Sequence, residues 1–176
     1  MPIDEVTFYL KAFDKWLSEN SSATVMLNKL VTGNIVAQKQ NDKFHELDEK
    51  LLEDLKVPQS SLNYRRVFIF GENHLLSKAH NWFVPKHLTT KMCDLLEKTD
   101  QPFGYVIRET NFTRKLIKTT FLPENLNKND VVLRHQAILH NSEKVPISLV
   151  EEAYYPQSLQ LFIAKYKNEL SNKILT

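Results

Sequence analysis

Three glycines in 176 residues leave little material for a phosphate cradle, because nucleotide loops need several glycines for tight turns and close backbone approach. A single cysteine, Cys93, excludes an internal disulfide framework and fits a reducing cytoplasm. Set among Met92, Leu95 and Leu96, it reads as a small buried hydrophobe. Charge of one sign is scarce too. Lys and Arg number 23 against 21 Asp and Glu, a net of +2, too little to capture a polyanion over the whole surface, so nucleic acid is not an expected partner. No run approaches the roughly 20 apolar residues of a membrane span, and the N-terminus lacks a basic region followed by an apolar stretch. A cytoplasmic protein that does not span a membrane is the expectation.

What is present is a chain that is 42% hydrophobic and of the length of one domain, residues 1–176, able to enclose one core and one ligand cavity. Val6, Leu10, Phe13, Trp16 and Leu17 recur at helical intervals, and Asn20 to Thr24 suits a turn or the cap of a short helix running to Leu30. Ile35 to Ala37 looks extended, and Leu47, Leu51, Leu52 and Leu55 form a helical face bounded by Pro58. Arg66 to Phe70, a turn at Gly71 to Asn73, and Leu75 to Val84 predict an antiparallel hairpin. Leu88 to Lys98 returns to helical spacing. Val131 to Leu139 and Val145 to Tyr155 are strands joined by a polar connection, and the segment from Gln157 is an amphipathic helix. Strands adjoin without a helix between each pair, so the class is α+β, an antiparallel sheet flanked by helices.

Several motifs that invite function have plainer readings. The six histidines include no His-x-x-x-His pair with a nearby acid, and no Gly-x-Ser-x-Gly elbow occurs. Arg108, Arg114, Lys115 and Lys118 near Phe112 read as a solvated face rather than an RNA-binding strip. Arg65-Arg66 would ordinarily be a solvated strand end, and Glu151-Glu152 a surface acid beside a salt-bridge partner.

Trp16-Leu17 with Ser22-Ala23-Thr24, Arg66-Val67-Phe68-Ile69-Phe70, Trp82-Phe83-Val84-Pro85, Pro102-Phe103-Gly104 and Glu152-Ala153-Tyr154-Tyr155-Pro156 follow one another in an order that resembles the chorismate lyase family. The resemblance, from about Trp16 to Pro156, implies a chorismate lyase-like fold with an internal ligand cavity under flap-like segments. It implies an enzyme that eliminates pyruvate from chorismate to give 4-hydroxybenzoate for ubiquinone biosynthesis, with no metal or organic cofactor; a monomer is the default expectation. Carried over by position, Arg66 binds a substrate carboxylate, Glu152 is the acid near the ring and the departing group, and Ala23 and Phe103 offer backbone N–H contacts. The sequence departs from the family at His80 and Asn81-Trp82, and at Tyr105 where arginine is common.

Chorismate is a dianion, which calls for a planar, permanently charged donor such as Arg66. A glutamate beside Val150 and Ala153 would have its pKa raised by desolvation and keep a proton for transfer. Adjacent strand residues face opposite sides, so only one of Glu151 and Glu152 enters the cavity. The alternative is a non-catalytic domain of the same fold that binds a small aromatic acid, since this fold also occurs in the effector-binding halves of bacterial transcription regulators; no DNA-binding half is read in this sequence.

Overall fold

The computed structural model describes the backbone of residues 1–174 and the side chains of residues 1–167. Helix α1 (Ile3–Leu17) buries Val6, Tyr9, Leu10, Phe13, Trp16 and Leu17, the three- and four-residue spacing of a single apolar stripe. Ser22 caps α2 (Ala23–Asn28) by accepting from the Val25 amide, 3.4 Å away. Asp48 does the same for α3 (Glu49–Leu55), which ends at Lys56 in the left-handed conformation, φ 56°, ahead of Pro58. Thr89 caps α4 (Thr90–Lys98), Pro102 opens the one-turn α5 (Phe103–Val106), and α6 runs from Pro156 to Ile174.

Six strands form one antiparallel sheet: β1 (Val36–Gln40), β2 (Asn63–Gly71), β3 (His74–Phe83), β4 (Thr113–Phe121), β5 (Leu133–His140) and β6 (Pro146–Tyr154). Their order is β1-β2-β3-β6-β5-β4. Glu72 and Asn73 make the β2–β3 turn with φ 51° and 65°, the pair of positive values that a tight two-residue hairpin requires. Strand β4 takes the segment that the sequence suggested was only a solvated basic face. It is an edge strand, and a bulge between Leu116 and Lys118 shifts its register on β5.

One face of the sheet carries five of the helices, and its core falls into two parts. Under α1, α2 and α6, residues such as Leu10, Phe13, Leu27 and Phe162 pack on Val67, Ile69, Leu133 and Tyr154. Under α4 and α5, Met92, Leu96, Phe103 and Ile107 pack on Phe83, Ala137, Leu139 and Val150. Each such side chain contributes about 1.5–3 kcal/mol on burial. On the opposite face the buried cluster among the described residues lies at one end, where Leu55, Val57 and Leu62 meet Trp82, Ile138 and Leu149. No helix among the described residues is long and apolar enough to cross a membrane.

Candidate functional site

A cavity lies where the two halves of the core fail to meet. Its floor is the inward-facing set Val67 and Ile69 on β2, Ser77, Ala79 and Asn81 on β3, and Val150 and Glu152 on β6. Serine and alanine in the middle of β3 are too short to close the gap, so the packing that joins most sheets to their helices is interrupted here. Its roof is Ser21 to Thr24 at the start of α2 and Pro102 to Gly104 at the start of α5. The enclosed space is about 40 Å³. A wider vestibule of about 300 Å³, lined by Asn20, Val25, Tyr105, Arg108 and Asn111, shares Ser21, Ser22, Gly104 and Phe112 with it. Gly104 sets how closely the two lids approach: a Cβ there would stand 2.7 Å from Ser22 Oγ.

Glu152 points into the cavity as the centre of a polar network. Its Oε2 accepts from Arg114 and from the Tyr154 hydroxyl at 2.9 Å. Arg114 also meets His135 Nδ1 at 3.2 Å, and His135 Nε2 reaches Asp14 on α1 at 2.8 Å. Burial pushes the Glu152 carboxyl up, but the adjoining Arg114 guanidinium and its hydrogen bond, with His135 and the Tyr154 hydroxyl, together outweigh it, and the net lies below the ordinary glutamate value. Burial likewise raises Tyr154 and lowers His135. At neutral pH the centre therefore holds a carboxylate, a guanidinium and a neutral imidazole. The expectation of a protonated Glu152 acting as an acid is corrected by this pairing: a carboxylate clamped by arginine has no proton to give.

Arg66 does not join this group. It alternates with Val67 onto the opposite face of β2, pairs with Asp42 and lies over the Phe68 ring at 5.2 Å. Its neighbour Arg65 faces inward, 3% exposed, directly across the ladder from Asn81, which is 2% exposed. Arg65 Nη2 donates to the Thr99 carbonyl at 2.8 Å, at the end of α4. Burial lowers its pKa to about 10, against a weaker opposing pull from Asp100. Apart from the Arg66–Asp42 pair, the buried side-chain polar atoms without a hydrogen-bond partner among the described residues are Nε and Nη1 of Arg65 and Nδ2 of Asn81. Ala23 and Phe103 both line the roof. Glu151 faces away from the cavity and accepts from Gln136 at 2.7 Å. Among the described residues no cluster of histidine, cysteine and carboxylate side chains is arranged to hold a metal ion.

His80 also faces away, so its departure from the resembled pattern leaves the cavity wall unchanged. Its Nδ1 meets the Tyr64 hydroxyl at 2.7 Å and its ring stacks on Trp82. Burial, and then the charges of Arg66, His45 and Lys78, lower its pKa to about 4 despite Asp42. An unfolded chain takes up this proton near pH 6.5 and the folded one only near 4, so folding loses stability as the pH falls through that window. His80→Gln, neutral throughout, is expected to show a smaller drop in Tm between about pH 7 and about pH 5 than the wild type; equal drops in the two proteins would place the slope elsewhere.

No family model matches the chain. The uncharacterized protein y4mC of Sinorhizobium fredii is 31% identical over 115 residues, covering 55% of this chain and 48% of that protein. PhnF from Mycobacterium smegmatis superposes with a TM-score of 0.53 at 10% identity, over 71% of this chain and 60% of that one. The possible transcriptional regulator YydK from Bacillus subtilis superposes at 0.50 with 11% identity, over 73% and 60%. A GntR-family transcriptional regulator from Enterococcus faecalis superposes at 0.49 with 9% identity, over 69% and 94%. The chain thus spans about half of its curated relative and 60% of PhnF and YydK.

The feature shared with PhnF and YydK is the fold, a helix-flanked antiparallel sheet. The chorismate lyase assignment is corrected on two grounds: the fold is shared with YydK, a possible transcriptional regulator, and with PhnF, and Arg66 and Glu152 lie on opposite faces of the sheet. Lyase activity falls with it, and so do chorismate, 4-hydroxybenzoate and pyruvate as substrate and products, and the place in ubiquinone synthesis. The exclusion of nucleic acid as a partner is withdrawn as well, because a protein of this fold is a possible transcriptional regulator.

Proposed function

We propose that residues 1–176 form one ligand-binding domain, which takes a small organic anion into the cavity beneath α2 and α5 without transforming it. The observation that carries this reading is the buried pair Arg65 and Asn81: Asn81 lines the cavity, Arg65 lies beside it across the ladder, and Nε and Nη1 of Arg65 and Nδ2 of Asn81 meet no acceptor. An unpaired buried donor costs about 1–3 kcal/mol, more when charged, so a ligand acceptor at this end of the cavity gains what the empty fold forgoes. Arg65 takes the anion-binding role expected of Arg66. Glu152 holds Arg114 in place, and Ala23 and Phe103 turn the first amides of α2 and α5 toward the ligand.

Val67, Ile69, Phe103 and Phe112 supply apolar walls for the remainder of the ligand, which fits a carboxylate on a short hydrocarbon or an aromatic ring. The enclosed space is smaller than such a molecule, so binding parts Ser22 from Gly104 and joins the cavity to its vestibule. Movement of these two short lids is the signal available to a partner, and by analogy with the regulators that share the fold, that partner acts on nucleic acid. Titration with benzoate, hexanoate and glutarate, followed by thermal shift and calorimetry, tests the reading. Saturable binding of at least one, lost in Ala79→Leu where the new side chain fills the floor, is the expected result; no binding by any of the three sinks it.

A further inference from the structure

The sheet face opposite the cavity holds a second concavity, of about 220 Å³. Strand register explains its shape. Across β3, β6 and β5, Lys78 pairs with Ala153 and Ala153 with Arg134, so one alanine lies between two long cations. The next row on the same face runs His80, Glu151, Gln136 and Lys118. Two ladder spacings put the Lys78 and Arg134 backbones about 10 Å apart, a span within reach of two long side chains. Among the described residues, none of those lining this concavity belongs to a helix.

We propose that this cleft is an anion-binding site, distinct from the cavity, that takes a compact phosphoryl group carried on a small molecule. Three cations, Lys78, Lys118 and Arg134, line it against two carboxylates, Glu151, which faces outward, and Glu152, which is already paired with Arg114. Glu151 is engaged by Gln136. Arg134 and Lys118 are exposed and have no acidic partner among the described residues, whereas Arg66, one strand farther out, is neutralised by Asp42. Lys78 is steadied over the Tyr155 ring at 5.5 Å and so gives up less freedom on meeting an anion. An arginine fork and two ammonium groups around a small concave floor match the several oxygens of a phosphoryl group better than one carboxylate.

Calorimetric titration of the whole chain with inorganic pyrophosphate tests this site, with Arg134→Gln and Ala153→Glu alongside the wild type. The wild type should bind saturably and more weakly as salt rises, Arg134→Gln about tenfold more weakly, and Ala153→Glu not detectably. Arg134 is exposed, so its replacement leaves the fold intact and its result stands even if Ala153→Glu unfolds. Absence of saturable binding by the wild type, or equal affinity in wild type and Arg134→Gln, overturns the proposal. A short oligothymidylate that outcompetes pyrophosphate and is weakened equally by Arg134→Gln overturns the small-molecule assignment and gives the cleft to a nucleic-acid strand.

Discussion

Replacing Arg114 by methionine is expected to lower the unfolding free energy by about 3 kcal/mol or more. Arg114 and Glu152 are 11% and 14% exposed, so each was drawn from water on folding and is compensated chiefly by the other. Removing the guanidinium leaves only the Tyr154 hydroxyl and His135, the weaker partners, against the burial that destabilises the carboxylate. The pH dependence changes sign with it. In the wild type the Glu152 pKa is depressed, so its contribution is present above the unfolded-state value and is lost as the pH falls through the folded one. In Arg114→Met burial raises that pKa, and the variant gains relative stability on acidification. Urea midpoints at about pH 7 and about pH 4 measure both effects, and Arg114→Met/Glu152→Gln should recover most of the loss because no uncompensated charge remains. A single variant within about 0.5 kcal/mol of wild type at neutral pH would show that the network is not a stabilising pair.

The same pairing shows why the chemistry was misread. From sequence, Glu152 has apolar neighbours and a raised pKa follows; the decisive partner is 38 positions away on a strand the sequence did not declare. Strand β4 carries Arg114, Lys115 and Lys118 with no regular apolar alternation, because it is an edge strand with a bulge, and the period-2 signal fails under both conditions. Its one inward arginine was therefore counted with a solvated face.

Register at β2 was hidden for a different reason. Both faces of Arg65 to Phe70 are hydrophobic, Val67 and Ile69 on one and Phe68 and Phe70 on the other, so alternation carries no polarity from which to choose between the two arginines. The motif order pointed to Arg66, one residue and therefore one face away from the cavity. By contrast, the amphipathic stripe of α1, the Ser22 cap within Asn20 to Thr24 and the β2–β3 turn rest on contacts within a few residues of sequence, and those elements stand where local patterns put them; the Asp48 and Thr89 caps are equally local but go unread from sequence. The cavity itself has a faint sequence trace: Ser77, Ala79 and Asn81 are small or polar at alternate positions of β3, where a core strand would place large apolar side chains.

Arg65→Met separates a site kept for binding from one kept for structure. As a buried cation with two unpartnered donors and a pKa lowered to about 10, Arg65 burdens the ligand-free fold, and its exchange for an apolar side chain of similar length should raise stability by about 1 kcal/mol even though the Thr99 carbonyl loses its donor. The same exchange should weaken benzoate about 100-fold, since a charge-assisted pair in a dry pocket is lost and Asn81 alone remains to meet the carboxylate. Stability and affinity then move in opposite directions, as they do where a fold tolerates strain for its function. A variant that is less stable yet binds benzoate as the wild type does would make Arg65 a brace for the end of α4, and the anion site would have to be sought at Arg114. A variant that is more stable and blind to benzoate would leave the guanidinium no structural reason to be buried, which is the physical signature of a residue retained for its ligand.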